Sequence, residues 1–162
     1  MTKTSWAAVL LFGLTSTGHA SGPADEAAVI EIQDRQAAAW NKHDAIEYGA
    51  LFTPDADVVN VLGWHWRSRA ELEEKLGAAF RSVFSQSRMT IAGVSVEFPV
   101  PEVAVAHVRW TMVGARSPTG SGSDTPEQGI QTQVLVRTVD GWRISHFQNT
   151  NSVPEQPFPV TP

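Results

Sequence analysis

The fold is decided by the stretch DGWRISHFQNTN, residues 140–151. Asp140-Gly141 is typical of a tight turn, and the aromatic and β-branched residues after it favour an extended strand. Strict alternation would place Trp142, Ile144, His146 and Gln148 on one face, and Arg143, Ser145, Phe147 and Asn149 on the other. Large apolar residues on both faces predict a strand that is covered on both sides, with one face opening into a cavity.

The first twenty residues have the pattern of a secretory signal peptide. Lys3 precedes the apolar run 6–14, which is too short to cross a bilayer as a stable helix. Gly18 and Ala20 supply small residues at the two positions that matter for cleavage. We expect residues 1–20 to be a signal peptide, 21–151 a single domain, and 152–162 a proline-rich tail. The mature protein would then be periplasmic or secreted.

Composition excludes several classes of function. A net charge of −5 without basic clusters argues against binding to nucleic acid, and against membrane association once the signal peptide is removed. The absence of cysteine excludes disulfides, thiolate nucleophiles and cysteine metal ligands. Six tryptophans against one tyrosine suit cavity walls and interfaces, because an indole buries a large area and brings one N–H that needs a partner.

Periodicity predicts helices first and strands afterwards. Three- and four-residue spacing of apolar residues, with Asp or Ser at the caps, indicates helices over 25–42, a short segment from Asp44, and 68–84. Alternation then indicates strands over 58–62, 89–98, 103–114, 128–139 and from Trp142 onward, with a loop over 115–127. Helices followed by an antiparallel meander are typical of the α+β class.

The strand from 103 to 114 has one face that favours burial. Burying Trp110 and Met112 gains roughly 2–3 kcal/mol apiece, whereas burying an unpaired Arg109 would cost several. We therefore expect Trp110 to face the cavity and Arg109 to face outward with His107. Trp64 and Trp66, on either side of His65, are candidates for an apolar wall; equally, they would cap the core where strand meets helix.

The phase of the last strand has two solutions. By alternation His146 follows Trp142 and Ile144 inward, so that Trp64, Trp66, Trp110 and His146 would converge on one cavity. A bulge near Ser145 would instead send Phe147 and Asn149 inward. Both solutions stay open from the sequence.

Five motifs carry a family resemblance over roughly residues 27–151: Ala39-Trp40-Asn41, Asp44, residues 52–57, Gly141-Trp142-Arg143-Ile144 and Phe147-Gln148-Asn149-Thr150. The chain resembles the SnoaL-like branch of the nuclear transport factor 2-like superfamily, and within it the subgroup often called SgcJ/EcaC. The resemblance implies a cone: three N-terminal helices packed on a curved antiparallel sheet, with a pocket inside. It also implies a homodimer formed through the outer sheet face, consistent with the alternation of Val134 and Val136 with Leu135.

The resemblance does not select a chemistry, because the superfamily includes isomerases, dehydratases, cyclases and hydrolases. The isomerase relatives place an acidic base and a paired acid and tyrosine inside the cone, and this set has no counterpart here. The strand segments facing the predicted pocket offer no Asp, only Glu97 at a strand end, and otherwise Asn60, His107, Arg109, Trp110, Gln131 and Gln133. No glycine-rich phosphate loop follows a strand, and the histidines lie on separate elements. We therefore expect neither a cofactor nor a metal.

Three functions stay open. The first is an exported pocket protein that binds a small, mostly apolar molecule, with turnover undecided. The second is a lyase, isomerase or cyclase in which His146 is the general base. The third is a dimerisation module without a functional pocket. The predicted ligand-binding residues are Tyr48, Trp64, Trp66, Trp110, His146, Gln148 and Asn149.

Overall fold

The computed structural model of the chain describes residues 21–116 and 127–152. Those residues form three helices and six strands: α1 (Pro23–Asn41), α2 (Ala45–Gly49), β1 (Phe52–Val59), β2 (His65–Trp66), α3 (Arg69–Phe80), β3 (Arg88–Val100), β4 (Val103–Val113), β5 (Glu127–Thr138) and β6 (Gly141–Asn151). The predicted signal peptide, most of the predicted loop and the proline-rich tail from residue 153 onward lie outside the described residues.

All six strands belong to one open sheet in the order β2-β1-β6-β5-β4-β3. Strands β3 to β6 form the predicted antiparallel meander. Strand β1 pairs antiparallel with β2 but parallel with β6, so the sheet is mixed rather than wholly antiparallel. Helices packed against one curved sheet confirm the predicted α+β class and the cone-shaped fold.

Extra residues in the strands bend the sheet. The β3–β4 register shifts between Ile91 and Gly93, and the β5–β6 register shifts between Val134 and Leu135. Such bulges increase the local twist and curve a sheet away from the flat arrangement. The concave face that results is the one that α1 covers.

Helix α1 is fastened to the sheet at both of its ends. At its start, the Asp25 carboxylate lies 2.7 Å from a guanidinium nitrogen of Arg137 on β5. At its end, the Asn41 side chain donates to the carbonyl of Met89 at 2.9 Å and accepts from the Met89 N–H at 2.8 Å. These contacts hold the helix across the full length of the concave face, so its middle turns become the inner wall of the cone.

Strand β1 begins earlier than the sequence pattern predicts and ends at Val59 rather than at Leu62. Pro54 lies inside the strand, where the β1–β6 pairing is irregular. Its missing N–H therefore removes no hydrogen bond between the two strands. The strand ends because the Asn60 side chain forms a turn with the backbone that follows. Its Oδ1 accepts from the N–H of Leu62 at 2.9 Å and from that of Trp64 at 3.0 Å.

Helix α3 begins where predicted and ends early. The hydroxyl of Ser68 caps it by accepting from the Glu71 N–H at 3.1 Å. The helix stops at Phe80, and residues 81–86 form turns instead of its predicted last turn. The N–H of Phe84 donates to the carbonyl oxygen of Ala79, which would accept from a different N–H if the helix continued. This bond directs the chain toward β3.

Candidate functional site

A bulge in β6 decides which side chains enter the cone. Val134 pairs with His146 while Leu135 pairs with Ile144, so Ser145 is the extra residue. Beyond the bulge the phase reverses, and Phe147 is buried whereas His146 is exposed. The structure thus adopts the second of the two solutions that the sequence left open.

His146 and Gln148 lie on the outer face of the sheet, so their predicted placement in the cavity is wrong. The Nδ1 atom of His146 lies 3.1 Å from the hydroxyl of its neighbour Ser145, and the ring is exposed. Within the described residues, no carboxylate contacts this ring. The expected convergence of His146 with the three tryptophans therefore does not occur, because the bulge shifts every later side chain of β6 by one position.

Trp110 faces the interior as predicted. Its side chain is only 3% exposed, and Met112 is buried beside it on β4, whereas Arg109 lies on the opposite, exposed face. The indole lies across Gly129 on β5, where any side chain would collide with it. Its N–H reaches over that strand and donates to Oδ1 of Asn149 on β6 at 2.8 Å. Two of the predicted ligand-binding residues thus meet directly.

Four glutamines, which we call the glutamine cluster, fill the middle of the cone: Gln33, Gln36, Gln131 and Gln133. All four side chains are at most 1% exposed. Gln33 and Gln133 form a reciprocal amide pair with bonds of 2.9 and 3.0 Å. The Nε2 of Gln133 also lies 3.2 Å from Oε1 of Gln36 and 2.8 Å from Oε1 of Gln131. The cluster thus links α1 to β5 through polar contacts in an otherwise apolar core.

Tyr48, another predicted site residue, joins this cluster through its hydroxyl. Gln36 donates to the phenol oxygen at 2.6 Å, and the ring stacks on Phe52. Burial raises the pKa of Tyr48 well above its usual value, against the smaller lowering effect of the Gln36 hydrogen bond. The phenol therefore stays protonated at physiological pH and keeps an O–H to donate.

The two tryptophans near residue 65 do not form one wall. Trp64 lies in the Asn60 turn and is 60% exposed, because strand alternation does not apply before β2 begins. Trp66 pairs with Val58, which is buried on the inner face, and it packs against the edge of the core. Of the pair, Trp66 belongs to the cone and Trp64 does not.

A model of the SnoaL-like domain matches residues 23–148. The chain belongs to the SnoaL-like domain family. The solved structures that match it include a cystatin-like-fold protein from Caulobacter vibrioides, 24% identical over 81% of this chain and 92% of that one, with a TM-score of 0.74. They also include a nuclear transport factor 2-like superfamily protein from Salmonella enterica, 20% identical over 85% and 98%, with a TM-score of 0.72.

A third match, a nuclear transport factor 2-like protein with a cystatin-like fold from Novosphingobium aromaticivorans, is 17% identical over 82% and 84% of the two chains, with a TM-score of 0.70. At such identities these structures establish the fold alone. No curated protein matches the chain. The narrower assignment of this SnoaL-like domain to the SgcJ/EcaC subgroup stays a prediction.

Outside the cone, one acid–histidine pair stands out on this SnoaL-like domain. Nε2 of His65 lies 2.7 Å from Oδ2 of Asp57, with both side chains about two-fifths exposed on the outer side of β1 and β2. Exposed pairs of this kind contribute little to stability. In the described ranges 21–116 and 127–152, no group of three or more His, Asp or Glu side chains is arranged to hold a metal ion.

A groove of about 470 Å³ lies on the far side of the helices, between α2 and α3. Its lining includes Phe80 and charged residues of both signs: Lys42, Asp44, Glu73 and Arg81. None of the predicted ligand-binding residues lines it. Among the described helices, none is long and apolar enough to cross a membrane.

Sequence reasoning placed Gln131 and Gln133 on strands that face the predicted pocket, but it missed that they form one cluster with Gln33 and Gln36. Gln36 falls on the buried stripe of α1, and Gln131 and Gln133 are two residues apart on one face of β5. A glutamine within an apolar stripe was the available signal. Its meaning depends on a contact between residues 33 and 133, which no local pattern contains.

Proposed function

We propose that this SnoaL-like domain is an exported binding protein that holds a small, largely apolar molecule inside the cone. The family fold generally forms a ligand pocket between the sheet and the helices. Apolar residues such as Val108, Met112 and Phe147 supply most of the buried concave face. A few fixed polar groups among them match the usual make-up of a small-molecule site.

The observation that carries the proposal is the bond between Trp110 and Asn149. A buried indole needs a partner for its N–H, and here that partner is a half-buried amide on the concave face. The indole lies across Gly129 on β5, and only a residue without a side chain leaves room for it there. A fixed aromatic wall with a polar group at its edge is suited to orient a flat ligand.

Binding is better supported than turnover. No Asp, Glu, His, Lys or Arg of the described residues is buried, so Tyr48 is the titratable group available in the described interior. A general base must come within hydrogen-bonding reach of its substrate. His146, the base that the enzyme hypothesis requires, lies on the outer face. The lyase, isomerase or cyclase function therefore has less support than ligand binding.

The outer sheet face supports a homodimer as part of the same proposal. Val103 pairs with Val136 and Val105 pairs with Val134, which brings four valines together on that face. All four are half-buried in the single chain. An apolar patch on a sheet face is a natural self-complementary surface in a twofold dimer.

The binding proposal is tested by a thermal-shift screen of small apolar metabolites with the mature protein. A ligand that binds only the folded state raises the melting temperature. We expect Asn149→Ala to abolish the shift for a true ligand. Gln148→Ala, the neighbouring amide on the outer face, should retain it. A screen without any ligand, combined with a stable dimer, would support the dimerisation module instead.

A further inference from the structure

We infer that the groove between α2 and α3 is a second binding site, and that its ligand is a small zwitterion such as a free aliphatic amino acid. The groove lies on the opposite side of the helices from the cone, so this site neither requires nor tests the binding function proposed above. The inference follows from the charges that line the groove and from the residues with which those charges pair.

The groove has room for a ligand of this kind. Its volume of about 470 Å³ falls within the range of small-molecule sites. Helices α2 and α3 run past each other in opposite directions, because Gly49 lies beside Glu73 while Ala45 lies beside Gly77. The groove follows this line of contact, and Ala45, Glu73 and Gly77 all belong to its lining.

Two of the charged side chains in the lining already have a counter-charge. Nζ of Lys42 lies 2.8 and 2.9 Å from the two carboxylate oxygens of Glu47. Oε1 of Glu73 lies 3.4 Å from Nε of Arg69, one turn earlier on α3. Neither Lys42 nor Glu73 therefore needs a charged ligand to neutralise it.

Arg81 and Asp44 are the charged residues of the lining that remain. Among residues 21–116 and 127–152, neither of them forms an ion pair. Oδ1 of Asp44 accepts from the N–H groups of Ile46 and Glu47 at 3.0 and 2.8 Å, which caps α2. In the described part of the chain, Oδ2 of Asp44 accepts no hydrogen bond. The groove thus presents one cation and one carboxylate oxygen that are open to a ligand.

These two groups flank the same point of the groove. A Cβ atom built on Gly77 would lie 3.5 Å from Nη1 of Arg81 and 3.6 Å from Cβ of Ala45, the residue that follows Asp44. The guanidinium group therefore folds back over Gly77, toward the start of α2. A ligand that carries both charges can place its carboxylate on the guanidinium group and its ammonium group on the carboxylate of Asp44.

Gly77 is a glycine that the packing of the chain does not require. Both contacts of the built Cβ atom are ordinary van der Waals distances, so an alanine would fit. Gly77 lies in the interior of α3, where glycine is less favourable than alanine. The chain thus keeps a space open where the two charges face each other, at a cost to the stability of the helix.

His43 adds a hydrogen-bond acceptor beside Asp44. Nε2 of His43 lies 3.2 Å from the carbonyl oxygen of Ser87, which can only accept, so Nε2 carries the ring hydrogen. In the neutral ring Nδ1 is then an acceptor, and no hydrogen bond among the described residues uses it. The ring is held in place by an edge contact with Phe80, with centroids 5.3 Å apart. An ammonium group in the groove can therefore donate to both His43 and Asp44.

Ile46 favours a ligand with an aliphatic part. Its side chain lines the groove and is nevertheless 65% exposed, so an aliphatic group laid on it would remove apolar surface from water. Lys42 and Arg81 balance Asp44 and Glu73, which gives the lining no net charge. A zwitterion matches this balance better than a polyanion or a polycation does.

The test compares leucine with two probes that each lack one of its charges. Isocaproate lacks the ammonium group, and isopentylamine lacks the carboxylate. Isothermal titration calorimetry with the mature protein should show leucine binding at least about ten times more tightly than either probe. Equal affinity for one of the two probes, or no measurable binding of leucine, overturns the inference.

Arg81→Gln and Asp44→Asn remove the two charges one at a time. Asparagine is also a good helix cap, so Asp44→Asn preserves the start of α2. Each variant should lose at least about tenfold in leucine affinity. Arg35→Gln and Asp34→Asn make the same changes at exposed positions of α1 and should bind leucine like the wild type. Melting curves establish that the variants fold. A folded Arg81→Gln or Asp44→Asn variant with unchanged leucine affinity overturns the inference.

Gly77→Ala separates binding from stability. The methyl group would occupy the space between Arg81 and Ala45, and alanine favours the helix more than glycine does. We expect a melting temperature at least as high as that of the wild type together with a loss of leucine affinity of about tenfold. A purely structural role of Gly77 would not lower the affinity. A Gly77→Ala variant that binds leucine like the wild type would show that no ligand lies over Gly77, and the inference would then be wrong.

Discussion

The indole N–H of Trp110 donates to Oδ1 of Asn149 across the backbone of Gly129, joining three adjacent strands by one side-chain bond. Gly129 has an ordinary extended backbone, so its lack of a side chain serves the close approach of the ring rather than an unusual dihedral angle. The sheet is locally built around that indole.

Gly129→Ala should therefore destabilise the protein. The added methyl group would collide with the Trp110 ring and with the carbonyl of Thr150, and overpacking of this kind costs about 1–3 kcal/mol. Urea unfolding measures the loss. Gly22→Ala is the control, because a side chain at Gly22 would meet nothing within 4 Å. Equal stability of the two variants would contradict this account of Gly129.

The inward direction of Trp110 was predictable from the sequence, because the two faces of β4 differ strongly in the cost of burial. Trp110 and Met112 share one face, and Arg109 belongs to the other. An energy difference of several kcal/mol decided the matter without knowledge of the fold.

The phase of β6 was not decidable in the same way. A bulge at Ser145 exchanges an inward His146 for an inward Phe147, and the sequence on either side of it alternates correctly in both cases. The glutamine cluster was equally out of reach, since Gln33 and Gln133 meet across 100 residues of chain. Features that depend on long-range contacts leave only a weak local trace.

Export predicts a definite N-terminus. If residues 1–20 form a cleaved signal peptide, protein recovered from the native host begins at Ser21. Intact mass spectrometry reads this directly. Ala20→Arg, which places a large charged residue at the cleavage position, should leave the precursor uncut. Recovery of wild-type chains that begin at Met1 would exclude cleavage.

The apolar patch of Val103, Val105, Val134 and Val136 predicts a dimer that a single introduced charge would disrupt. Val134→Arg places a guanidinium at the centre of the patch, where a second copy would bury it without a partner. Light scattering should show a wild-type dimer and a folded monomeric variant. Glu31→Arg, on the exposed side of α1, makes a comparable change elsewhere and should stay dimeric. A wild-type protein that is monomeric at micromolar concentration would rule the interface out.

Thr53 carries a buried hydroxyl that has no hydrogen-bond partner among the described residues. The residue is only 8% exposed, and an unpartnered polar atom costs free energy on burial. Thr53→Val keeps the shape and removes the hydroxyl, so we expect a stabilisation of about 1 kcal/mol. Thr90→Val, on an exposed position of β3, serves as the control and should change little. Destabilisation by Thr53→Val, measured by urea unfolding, would mean that the hydroxyl has a partner.

Asp25 predicts how the stability of the protein responds to acid. The hydrogen bond from Arg137, with a further one from the Trp142 indole, lowers the pKa of Asp25 from 3.8 to about 2. The folded state therefore prefers the ionised carboxyl more than the unfolded state does. This preference adds stability that is fully present above about pH 4 and is lost as the pH falls toward 2.

Asp25→Asn should remove that contribution. The wild type is expected to be more stable than the variant above pH 4, and the gap in unfolding free energy should shrink steadily between pH 4 and pH 2. Denaturant unfolding at a series of pH values measures the gap. Asp34→Asn changes an exposed carboxyl on the same helix and corrects for the change in net charge. A gap that stays constant over this range would mean that Arg137 does not hold the Asp25 carboxylate.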